Sequence, residues 1–110
     1  MSYQHKELAA SRWKEMSFIV QMANIGSEVE RALNWKARNN EPYAQLAFER
    51  ALELIDLTLG SVKGLPRLKE LARVRESFAD YFFGENQYGS TEASWRNYFS
   101  SFAYAARKDS

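Results

Sequence analysis

A chain of 110 residues carrying 15 Lys and Arg against 14 Asp and Glu has a net charge of only +1, which gives no support to a dominant electrostatic grip on nucleic acid. The hydrophobic share of 45% with 26% charged residues is that of an ordinary globular protein, and the length suits one domain over residues 1–110. With no cysteine, a disulfide scaffold, thiolate chemistry and cysteine-based zinc sites are all excluded.

The start, Met1-Ser2-Tyr3-Gln4-His5-Lys6-Glu7, is polar and has no signal-peptide core behind it. No run reaches the ~18 apolar residues that a membrane helix needs, so no membrane contact is expected and a cytoplasmic protein is the expectation. Residues 3–16 read as a short mixed helix with Leu8, Trp13 and Met16 as its apolar points. His5, the only histidine, falls in this stretch, which leaves histidine-based metal sites and serine–histidine triads poorly supported. No metal and no cofactor are expected.

Ser17 is an N-cap candidate, and from Phe18 to about Arg38 the spacing is helical. Phe18, Met22, Ile25, Val29, Ala32 and Lys36 fall on one stripe, with Leu33 and Trp35 beside it. Gly26 inside this helix costs about 1 kcal/mol relative to alanine, and marks either a close helix crossing or a kink. Asn39-Asn40-Glu41-Pro42 is a turn, with Asn40 as cap and Pro42 in the first turn of the next helix. Over residues 43–59, Ala44, Phe48, Ala51, Ile55 and Leu59 form an apolar face widened by Ala47, Leu52 and Leu54. Glu49, Glu53 and Asp56 follow one edge, which reads first as solvated. The small–aromatic–small spacing of Ala44, Phe48 and Ala51 is similar to the second helix of a tetratricopeptide repeat. Only one unit could be drawn, however, and an array needs about three.

Residues 60–64 break the chain and Pro66 opens a further helix. There Leu68, Leu71, Phe78 and Phe82 recur at three- and four-residue spacing, with Arg75 in the middle of the stripe. A guanidinium cannot shed its charge, so Arg75 needs a carboxylate, water or a groove. Asp56 or Glu49 could reach it as a bidentate partner. Arg73 and Asp80, seven apart, share a helix face with Glu76 and Ser77 close by. The candidate binding or structural polar site is therefore Arg75, Glu76, Asp80, Arg73 and Asp56. A loop with two glycines spans 84–89, and Ser90 or Thr91 caps a last helix anchored by Ala93, Tyr98, Phe99, Phe102 and Ala106. Trp95, Tyr98, Phe99, Phe102 and Tyr104 crowd that helix, and they predict an outward aromatic patch and a homodimer or an obligate partner. No stretch alternates with a period of two, so no strand is expected. The short connections predict an antiparallel up-down bundle of four main helices with a short N-terminal one.

The stretch Arg75-Glu76-Ser77-Phe78-Ala79-Asp80-Tyr81-Phe82-Phe83-Gly84 resembles the end of the third helix of HEPN domains. These are small helical bundles found beside minimal nucleotidyltransferases, in toxin–antitoxin pairs and in RNases. Their signature is Arg, a polar residue, a few further residues, His, then x-Tyr and a glycine. Arg75, Glu76 and Gly84 match it, while Asp80 stands at the histidine position and Phe82 at the tyrosine. The resemblance implies a HEPN-like fold without the RNA-cleaving histidine, because aspartate, with a reference pKa of about 3.9, is a poor general acid at neutral pH. What it implies of function is a non-catalytic binding or regulatory module that dimerises or pairs with a nucleotidyltransferase. The alternatives are a ribonuclease with an altered site using Arg75 and Asp80, and a helical adaptor unrelated to that family. RNA or nucleotide binding gains no support from the net charge.

Overall fold

The computed structural model describes residues 11–108, and the only histidine, His5, lies outside them. The chain is all-α, with no strand among the described residues. Residues 11–15 form a short helix, α1; the earlier part of the expected N-terminal helix, with Leu8, lies outside the described residues. Four long helices follow: α2 (Phe18–Ala37), α3 (Glu41–Leu59), α4 (Leu65–Phe83) and α5 (Glu92–Lys108). None of them is long and apolar enough to cross a membrane.

The helix starts follow local chemistry. Ser17 Oγ accepts from the Val20 amide at 3.2 Å and Asn40 Oδ1 from the Tyr43 amide at 3.2 Å, each satisfying a donor with no intrahelical partner. Thr91 and Ser94 cap α5 reciprocally: Thr91 Oγ1 accepts from the Ser94 amide at 3.0 Å, and Ser94 Oγ from the Thr91 amide at 2.9 Å. α4 has no side-chain cap and opens instead from Gly64, whose φ of 94° suits a residue without a Cβ, with a proline in its first turn.

α2 is the central helix, packed closely against α3 on one side and α5 on the other. It buries Met22, Ile25, Val29, Ala32 and Leu33. Gly26 permits the approach of α5, since a Cβ there would lie 2.8 Å from Phe99 Cβ. The glycine thus marks the crossing rather than a kink. Lys36, at the end of the expected stripe, is exposed, with its ammonium 4.3 Å from the centre of the Tyr81 ring.

α3 buries Ala44, Ala47, Phe48, Ala51, Ile55 and Thr58, and its alanines let α2 come near. Two polar residues that the apolar pattern passed over are also buried, Gln21 and Thr58. They secure α1: Trp13 Nε1 donates to Thr58 Oγ1 at 2.8 Å, and Gln21 Nε2 donates to the Trp13 carbonyl at 2.8 Å. Each of these two buried polar side chains therefore has a partner, which removes most of the cost of its desolvation.

α4 joins the core through its rings. Phe78 is fully buried between Phe48, at 4.7 Å between ring centres, and Trp95, at 5.5 Å. The backbones of α4 and α5 barely approach each other. Large side chains fill the inner part of the space between them, and an open cleft remains outside.

Candidate functional site

The α4 stripe differs from the one expected. Its buried residues are Leu71, Val74 and Phe78, whereas Leu68 is exposed. Steps of three and then four residues from Leu71 lead to Val74 and Phe78. This centres the stripe on Val74 and places Arg75 on its flank. Arg75 is accordingly not a buried charge: its side chain is 42% exposed and that of its partner Asp56 is 52% exposed. Arg75 Nε donates to Asp56 Oδ1 at 2.6 Å, and Nη2 reaches Oδ2 at 3.5 Å. The hydrogen bond and charge of Asp56 hold the guanidinium pKa above its ordinary value, against a small opposing effect of burial. Of the two carboxylates considered, Asp56 makes the contact, one α3 edge residue turned to α4.

Because this pair is solvated, Arg75→Ala is expected to cost about 0–1 kcal/mol, not the ~3–5 kcal/mol of a broken buried pair. Equilibrium urea unfolding of the variant checks this, and a loss above about 2 kcal/mol would show that the pair is worth more than a solvated one.

Asp80 faces another way. Its carboxylate accepts two backbone amides of the α4–α5 loop, Gln87 N at Oδ1 and Tyr88 N at Oδ2, both at 3.0 Å. Its carbonyl accepts from the amides of Gly84 at 3.0 Å and Asn86 at 3.2 Å. At Gly84 a Cβ would come within 3.0 Å of that carbonyl oxygen, so the glycine fits a crowded helix end. Glu76 secures the same loop from one turn earlier, accepting from Tyr88 Oη at 3.0 Å. That bond raises the Tyr88 pKa, as an anionic acceptor favours the protonated phenol.

The five candidate residues thus divide into three groups. Arg75 and Asp56 join α4 to α3. Glu76 and Asp80 fasten the loop over residues 84–89. Arg73 makes neither a hydrogen bond nor an ion pair with them, and lines the cleft between α4 and α5. Arg75 and Asp80, five residues apart on a helix of 3.6 residues per turn, lie roughly 140° apart around its axis. They are not brought together, and each is held by a different structural partner.

The cleft encloses about 530 Å³. Lys69, Arg73 and Ser77 form its α4 wall at four-residue spacing, and Ser90, Ser94 and Tyr98 face them at the same spacing. Tyr98 Oη donates to Glu70 at 2.5 Å, linking the two helices. Burial first, then Glu70, pushes the Tyr98 pKa far up. Sequence reasoning named Arg73 and placed Ser77 near it but missed Lys69, Ser90 and Ser94. The four-residue periodicity of polar residues beside the apolar stripe was the available signal. Among the described residues no group of three His, Cys, Asp or Glu could hold a metal ion.

The aromatics of α5 mostly turn inward. Trp95 and Phe99 are buried, Tyr98 and Phe102 pack partly buried against the core, and Tyr104 stands 62% exposed. The crowded helix therefore does not present the broad outward patch expected, because Trp95 and Phe99 fill the space that α2 and α4 leave open. Other exposed apolar side chains lie on α3: Tyr43 is 52% and Leu46 58% exposed, beside the half-buried Trp35 in a groove between α2 and α3.

Compared with known proteins, the chain matches no family model, no curated protein and no solved structure.

Proposed function

We propose that the chain is a non-catalytic, HEPN-like helical binding or regulatory module, working in the cytoplasm as a homodimer or with a protein partner such as a nucleotidyltransferase. The observation that carries this reading is the commitment of the two groups an altered ribonuclease site would need. Asp80 spends both carboxylate oxygens on loop amides, and Arg75 is paired with Asp56 across the helix pair. Neither is poised to move a proton on a shared substrate.

The groove between α2 and α3 suits a partner. Tyr43 and Leu46 stand out from α3, and the Tyr43 ring packs 4.9 Å from that of Trp35. Around them Arg31 and Arg50 alternate with Glu28, Glu49 and Glu53. An apolar centre with a charged rim of both signs is the usual anatomy of a protein interface.

Sedimentation of the full chain, with and without Leu46→Glu, tests the reading alongside an RNA-cleavage assay without added metal. Self-association or capture of a nucleotidyltransferase, lost on Leu46→Glu, together with inert RNA, is the expected result. A monomer that recovers no partner overturns the proposal. So does RNA cleavage that disappears in Arg75→Ala, which would restore the ribonuclease reading.

A further inference from the structure

The cleft between α4 and α5 has a lining of unusual sign. Arg73 lies between Glu70 and Glu76, its natural neighbours at three residues' distance on the helix, yet pairs with neither. Both carboxylates are taken up by tyrosine hydroxyls, Glu70 by Tyr98 and Glu76 by Tyr88. Lys69, one turn earlier on the same wall, also has no ion-pair partner among the described residues. The hydroxyls of Ser77 and Ser90, which line opposite walls, form no hydrogen bond within the described residues.

Four unengaged donor groups therefore line one concavity, while its one carboxylate already has a donor. Ser94, in the first turn of α5, also lines the cleft. With two cations among them, such a lining favours an anionic, acceptor-rich ligand. An arginine matches the geometry of a phosphate with two parallel N–H groups, and further donors on two walls can meet the remaining oxygens. Pro66, Val74 and Trp95 supply apolar surface beside the donors, enough for a small organic body.

We propose that the α4–α5 cleft binds a small phosphate monoester, with Arg73 gripping the phosphate, Lys69 adding charge, and Ser77 and Ser90 donating from the two walls. This site is separate from the groove between α2 and α3, so either assignment can fail without the other.

The test is titration of the full chain with phenyl phosphate, followed through backbone amide NMR shifts, against inorganic phosphate and benzoate. Saturable shifts centred on residues 69–77 and 90–98, tighter for phenyl phosphate than for either comparator, are expected. Arg73→Gln should weaken binding at least about tenfold, Ser77→Ala by a few fold, and Arg50→Gln on the other face not at all. Arg73 is exposed, so its variant should keep the wild-type helical circular dichroism. No saturable shift, shifts centred elsewhere, or binding indifferent to Arg73→Gln in a folded variant would overturn the proposal. Inorganic phosphate or benzoate binding as tightly as phenyl phosphate would also overturn it, by removing the monoester or the phosphate from the specificity.

Discussion

Replacing Phe48 with alanine is expected to destabilise the protein by about 3–5 kcal/mol, the largest effect of any single truncation considered for this core. Phe48 is 1% exposed, and its ring lies 4.7 Å from Phe78, 4.6 Å from Phe82 and 4.2 Å from Phe83, measured between centres. Three α4 rings therefore gather on one α3 side chain. Truncating Phe48 removes the side chain on which these α4 rings meet α3, along with the area they bury. The aromatic pairs add to the loss of buried area. Urea unfolding should show a much lower midpoint with an unchanged slope. A loss below about 1.5 kcal/mol would mean that α4 does not depend on this contact.

Asp80→Ala is expected to cost about 1–3 kcal/mol, because the amides of Gln87 and Tyr88 lose a charged acceptor they share. The effect should be local as well as global. Amide hydrogen exchange at Gln87 and Tyr88 should speed up well beyond that in α2, since of the side-chain bonds from α4 to the loop only Glu76–Tyr88 is left, and the Asp80 carbonyl holds Gly84 and Asn86 rather than these two amides. Asp80→Asn should retain part of the stability, as one carbonyl oxygen can still accept. Unchanged exchange at both amides in Asp80→Ala would refute a fastening role. The same pair of variants separates structure from catalysis: a residue held for its acceptor oxygens tolerates asparagine better than one required to exchange a proton.

The sequence by itself determined the helices and most of their inward faces. Ser17, Asn40 and Thr91 mark starts through local hydrogen bonds, and the stripes of α2 and α3 follow from helical periodicity, both interactions within a few residues. The pairing of Arg75 with a carboxylate on the edge of α3 was also legible, since charge and reach limited the choice to two residues. Its exposure was not legible. Whether the α4 stripe centres on Val74 or on Arg75 is a rotation of one residue, about 100° around the axis, and only the packing of Phe78 between Phe48 and Trp95 fixes it. The same holds for α5, where periodicity left five aromatics without a direction until the gap between α2 and α4 drew in Trp95 and Phe99. Tertiary structure alone likewise decided that Asp80 turns to the loop and Arg75 to α3, because long-range partners set the orientation of a polar side chain on a helix flank. It also created the cleft: two bulky ring systems hold α4 and α5 apart, and the space between them depends on side chains far apart in the chain.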